Sequence, residues 1–194
     1  MANDTIILVS GLPRSGTSLM MKMLEAGGLT LLVDHVRQAD EDNPKGYYEF
    51  EPVKAMKAGD SDWLPDARGK VVKVVAPLLK YLPEGGQYRI VFMRRAMPEI
   101  LASQKKMLER RGQDPDAIPD DVIAAAFEKQ LDEVLRWMAV APNVDFIEVD
   151  YAALVANAPP IISELVPFLG GEIDSAAMAA VVDPTLYRQR AGGG

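Results

Sequence analysis

Apolar residues in this chain come in two arrangements, short unbroken runs and longer stretches with a one-sided stripe. The short runs are Thr5 to Val9 (TIILV), Lys70 to Ala76 (KVVKVVA), Tyr88 to Met93 (YRIVFM) and Val144 to Val149 (VDFIEV). Their length and β-branched content predict strands of a buried parallel sheet. The striped stretches predict helices. Thr17 to Ala26 sets Leu19, Met20, Met23 and Leu24 on one face and stops at Gly27-Gly28. After Arg94-Arg95, Pro98 and Glu99 suit a first helical turn, and a helix is expected to about Arg111. Asp120 is expected to cap a helix carrying Ile123, Phe127, Leu131, Val134 and Met138, ended by Pro142. Ala158 to Leu169 reads as another, stopped by Gly170-Gly171. Residues 31–66 read as loop with short helical pieces, Gly112 to Pro119 as loop, and Ala176 to Arg190 as a short last piece.

Strands alternating with helices predict an α/β fold, a three-layer α/β/α arrangement around a mostly parallel central sheet. The chain has 194 residues and shows no internal repeat and no linker composition. One domain is expected over 1–190, with 191–194 (Ala-Gly-Gly-Gly) a flexible tail.

Composition narrows the function classes. Apolar residues make up 48%, enough for a core at this length. The net charge of −7 argues against a nucleic-acid partner, which needs a basic face, and against an anionic membrane surface. No apolar run approaches a membrane span, and the first residues do not have the form of a secretory leader. Without cysteine there is no disulfide, thiolate metal site or Cys nucleophile. The single histidine, His35, excludes a two-His zinc site, and no metal is expected. A cytoplasmic location is the expectation.

The chemistry concentrates after the first strand. Gly11 to Ser18 (GLPRSGTS) lies between a strand and a helix. Its glycines let backbone N–H groups approach an oxyanion, and the helix start adds free donors and positive potential. Thr17 and Ser18 add hydroxyls, and Arg14 a fixed charge at the apex. The spacing is that of the nucleotide P-loop GxxxxGK[ST], with Thr17 in the Lys position. That Lys bridges the outer phosphates in ATP users, so its loss argues against ordinary ATP or GTP hydrolysis. The alternative is a plain strand–turn–helix. The fold is therefore expected to be of the P-loop type.

The loop resembles the 5′-phosphosulfate loop of the P-loop sulfotransferases, where PKSGTT or PRSGTT follows the first strand. Tyr88 to Gln104 (YRIVFMRRAMPEILASQ) resembles that family's 3′-phosphate motif, with Arg95 and Ser103 at the matching spacing. Val144 to Gly170 resembles its strand–helix ending, and Asn43 to Glu49 (NPKGYYE) a segment of bacterial members. The resemblance spans most of the chain. It implies a transferase that moves a sulfuryl group from 3′-phosphoadenosine 5′-phosphosulfate to a hydroxyl or amine of an unidentified small-molecule acceptor. Pro13, Arg14, Ser15, Gly16, Thr17, Ser18, Arg95 and Ser103 would hold the donor. On their own, Arg94 and Arg95 also read as a solvated pair at a strand end.

Lys73 matches a family Lys that reaches the bridging oxygen; a snorkelling lysine at a strand end is the other reading. The family's His two residues on is Val75 here, so the base must come from elsewhere. Glu49 is preferred and His35 is the second candidate, with Asp34 and Glu51 behind them. The family's Trp after the loop hydroxyls is Leu19, and its C-terminal GxxGxWK segment is missing, which leaves the adenine contact open. Tyr187, Arg188 and Arg190 either reach the 3′-phosphate or form a solvated tail. Trp63, Tyr47 and Tyr48 either line an acceptor pocket or pack in the core. A P-loop kinase and a non-catalytic nucleotide-binding module that lost its base are the alternatives.

Overall fold

A computed structural model describes residues 4–34, 36, 46–183 and 185. In chain order the elements are β1 (Thr5–Gly11), α1 (Thr17–Ala26), a 3-10 helix (Glu51–Ala58), α2 (Leu64–Ala67), β2 (Val71–Lys73) and a second 3-10 helix (Ala76–Tyr81). There follow β3 (Gln87–Arg94), α3 (Met97–Arg110), α4 (Asp120–Val140), β4 (Val144–Asp150), α5 (Tyr151–Ala156), α6 (Ala158–Leu169) and α7 (Ser175–Ala180).

All four strands are parallel, in the order β2-β1-β3-β4. Strand alternation sends side chains to opposite faces, and both faces are covered. On one, Ile7, Val9, Val91 and Met93 pack with Met20 and Leu24 of α1, Leu154 of α5 and Leu165 of α6. On the other, Ile6, Leu8, Ile90 and Phe92 pack with Leu79, Val134 and Met138. Leu8, Val9, Ile90 and Val91 are fully buried, each contributing about 1.5–3 kcal/mol of transfer free energy. These are the layers the alternating pattern predicts.

Strand order matters for function. The helix after β1 covers one face and the long helix after β3 covers the other. The connections therefore part between β1 and β3, and the crevice at the C-terminal ends of those strands is where open α/β sheets bind ligands.

Two local expectations change and one helix is added. The expected strand Lys70 to Ala76 is cut to Val71–Lys73: Val74 N–H still donates to the Val9 carbonyl at 3.0 Å, but Pro77 turns the chain into a 3-10 helix. Asp120 does not cap α4; Pro119 holds that position and the Asp120 carboxylate pairs with Lys105 at 3.2 Å. A separate helix, α5, starts right after β4, where Asp150 caps it by accepting from Ala153 N–H at 2.8 Å. The tail 191–194 and the Tyr187 to Arg190 segment lie outside the described residues. Among the described residues no helix is long and apolar enough to cross a membrane.

Candidate phosphate-binding site

The ends of all four strands meet around the loop after β1. Gly11 pairs with Met93 across β1 and β3, and Val9 with Lys73 across β1 and β2. Arg94 pairs with Asp150 across β3 and β4, so Tyr151 follows at the same level. Ser15 N–H donates to the Leu12 carbonyl at 3.2 Å, closing a turn, and Met20 N–H donates to Gly16 at 3.2 Å, opening α1. The N–H groups of Thr17, Ser18 and Leu19 fall in the first helical turn, which lacks intrahelical acceptors. Pro13 is exposed at the crest and Arg14 is half-buried beside it.

Two glycines are dictated by contact as well as by backbone. Gly16 has φ +100°, and a Cβ there would overlap the Tyr151 ring. At Gly11 a Cβ would lie 2.5 Å from Ser15 Oγ and 2.7 Å from the Met93 carbonyl oxygen. Arg14 also takes a left-handed conformation, φ 69°, which no side chain adopts freely. The hydroxyls of Ser10 and Ser15 are buried, and neither has a hydrogen-bond partner among the described residues. A buried hydroxyl left unpaired costs roughly 1–3 kcal/mol.

The β3–α3 junction closes against the loop. Arg14 Nε donates to Ser103 Oγ at 2.9 Å, and an Arg95 terminal nitrogen donates to the Arg14 carbonyl at 3.0 Å. Arg95 Nε donates to Glu99 at 2.9 Å, and its guanidinium lies 4.6 Å from the Tyr151 ring centre. The choice between the two arginines is thereby made by strand geometry. Arg94, still in β3, turns sideways to Glu148 of β4 at 2.8 Å, while Arg95, past the strand end, turns into the site. The two segments expected from sequence to bind anions are in direct contact, joined by the Arg14–Ser103 bond. Burial raises the Tyr151 phenol pKa; the Arg95 and Arg14 charges oppose this and Glu99 adds to it.

Lys73 is not snorkelling. Its Nζ donates to the Tyr47 carbonyl at 2.6 Å and to Ser18 Oγ at 3.3 Å, so it reaches the loop hydroxyls from the next strand. The same contacts hold the segment before Glu49 against the site. Tyr48 Oη donates to Glu25 of α1 at 3.3 Å. Burial, with the Glu25 charge and hydrogen bond, pushes the Tyr48 phenol up to about 12. Glu49 follows, half-buried, its carbonyl accepting from Asp34 N–H at 3.2 Å.

Asp34, a weaker base candidate, is a clip instead. Its carboxylate accepts from Glu51 N–H at 2.5 Å and Val36 N–H at 3.0 Å. Burial raises its pKa, but these donors outweigh that and hold it below the usual carboxylate value, which disfavours a base. Glu51 pairs with Lys54 at 2.6 Å. His35 lies outside the described residues. Trp63 and Tyr47 are buried, and Trp63 packs edge-on to Phe50 within the hydrophobic core, so it is no pocket aromatic.

The fold has a known counterpart. It is similar to the sulfotransferase domain from the curacin biosynthetic pathway, with a TM-score of 0.50 over 98% of this chain and 93% of that one. Sequence identity is 15%, so the likeness bears on the fold alone. No family model and no curated protein matches the chain. The fold is sulfotransferase-like.

Two site residues escaped sequence reasoning. Tyr151 follows a strand whose register with β3 no local signal specifies. Glu99 reads locally as a first-turn acid, yet it is 4% exposed and bound to Arg95. The i,i+4 spacing of Arg95 and Glu99 was the one signal available.

Proposed function

We propose that this protein is a sulfotransferase using 3′-phosphoadenosine 5′-phosphosulfate as donor and a hydroxyl or amine as acceptor. The observation that carries the reading is the direct contact between the loop and the β3–α3 junction through Arg14, Ser103 and Arg95. It makes one continuous cluster of guanidinium and hydroxyl groups suited to an adenosine nucleotide phosphorylated at two positions. The unpartnered Ser15 hydroxyl, the α1 N-terminus and the Cβ-free approach at Gly11 and Gly16 fit a phosphate oxygen.

The donor supplies an activated sulfuryl group, whose bond to the 5′-phosphate breaks as the acceptor oxygen or nitrogen bonds to sulfur. Arg14 and the loop N–H groups hold the leaving 5′-phosphate and its growing charge. Ser103 and Arg95 receive the 3′-phosphate: the Ser103 hydroxyl accepts from Arg14 Nε at 2.9 Å and has its O–H to donate to that group. Lys73, already within 3.3 Å of the Ser18 hydroxyl, donates to the bridging oxygen. Glu49 takes the acceptor proton. A P-loop kinase remains disfavoured by Thr17 in the Lys position.

The test is transfer of labelled sulfuryl from the donor to a panel of phenols, alcohols, sugars and amines. Transfer without added divalent metal is expected. With a working acceptor, Glu49→Gln is expected to lower turnover roughly 100-fold and leave affinity for adenosine 3′,5′-bisphosphate unchanged. Full turnover in that variant removes Glu49 from the role, and no transfer to any acceptor leaves a binding module as the reading.

A further inference from the structure

Among the described residues Glu99 is the most deeply buried carboxylate at the site, and it has no place in the chemistry above. We propose that it is a positioning residue, which aims Arg95 at the Arg14 carbonyl and so fixes the left-handed turn of the phosphate loop. The link to donor binding rests on the function proposed above; the link to loop geometry does not.

The side chains of Arg95 and Glu99 are 8% and 4% exposed. Charges this buried are retained only when paired and hydrogen-bonded. A guanidinium is planar, so fixing one edge and one face fixes the rest. Glu99 takes the Nε edge at 2.9 Å, and Tyr151 takes the face at 4.6 Å. One terminal nitrogen is then directed at the Arg14 carbonyl, 3.0 Å away.

Arg14 needs such a restraint. Among the described residues, it and Tyr48 are the non-glycine residues with positive φ. A conformation of that kind persists only where neighbours over-determine it. The Arg95 bond grips the carbonyl of the strained residue, directly before the Ser15 N–H that closes the loop. Glu99 and Ser103 lie four residues apart on α3, hence on one helix face. One bonds Arg95 and the other bonds Arg14, so a single turn of α3 holds both arginines. A first-turn acid serving only the helix dipole would be expected in solvent.

The test reads loop order separately from binding. Amide hydrogen exchange is followed at Ser15, against Ile7 and Val9 in β1, which report opening of the whole sheet. In Glu99→Ala, Ser15 exchange is expected to rise about tenfold relative to those strand amides, and affinity for adenosine 3′,5′-bisphosphate to fall about tenfold, the scale of losing an outer-shell partner. Glu99→Gln keeps an oxygen acceptor for Nε and is expected to return Ser15 protection to near the wild-type level. Should Glu99→Ala not fold, Arg95→Lys is read instead; it keeps charge, loses the planar fork, and is expected to deprotect Ser15. Unchanged Ser15 exchange relative to β1 in the variant read, or equal losses in the Ala and Gln variants, overturns the proposal. If the wild-type protein does not bind the bisphosphate, the donor reading fails, and the exchange ratios alone decide the role of Glu99.

Discussion

Arg14→Ala is expected to lower sulfuryl-transfer turnover by about 100- to 1000-fold, the cost of removing one donor from a developing oxyanion. Affinity for adenosine 3′,5′-bisphosphate is expected to fall by about 1–3 kcal/mol, or ~5- to 150-fold. Both effects come from one guanidinium. Arg14 sits at the loop apex with its Nε already turned to the Ser103 hydroxyl, so it touches both halves of the proposed donor site. Its backbone is held separately, through its carbonyl, by Arg95. Truncating the side chain therefore removes charge without removing the restraint on the loop. Thermal stability should change little, and steady-state turnover with bisphosphate calorimetry checks the pair of effects. A large fall in melting temperature with unchanged affinity would assign Arg14 to the fold instead.

Gly16→Ala is the second large effect, and it acts through backbone and packing. Alanine at φ +100° costs roughly 1–2 kcal/mol. Its Cβ also meets the Tyr151 ring, which is pinned by the Arg95 contact and cannot withdraw freely. Overpacking of this kind costs about 1–3 kcal/mol more. A total of about 2–5 kcal/mol predicts a melting-temperature drop of roughly 4–20 °C for a domain of this size. Gly28→Ala is the control. Gly28 has φ +96° but nothing within 4 Å of an added Cβ, so only the backbone cost applies. Differential scanning calorimetry of the two variants separates the terms. Equal drops would mean that the Tyr151 contact carries no energy.

Much of this was legible in the sequence, for physical reasons that stop at a definite point. The loop could be read because its glycines, its hydroxyls and the strand and helix flanking it are local in sequence. The layered α/β fold could be read because unbroken apolar runs must be buried on both faces. Which arginine enters the site depended on where β3 ends, a boundary of one residue. Tyr151 and Glu99 were hidden for a different reason: each acts on the loop from another strand end, through the register of β3 with β1 and β4. Asp34 stood among the weaker base candidates because the Glu51 N–H that ties up its carboxylate comes from 17 residues on, out of reach of a local reading. Trp63 could be read as lining or core, because aromatic character does not distinguish the two, and it lies in the core.

The loop and the β3–α3 junction form one receptor for a doubly phosphorylated adenosine in this account. Calorimetric titration of the wild-type protein, in the presence of a metal chelator, tests that most directly. Adenosine 3′,5′-bisphosphate should bind, and adenosine 5′-monophosphate, lacking the group assigned to Ser103 and Arg95, should bind at least about tenfold more weakly. Equal affinity for the two nucleotides, or tighter binding of ATP with Mg²⁺ than of the bisphosphate, would contradict it.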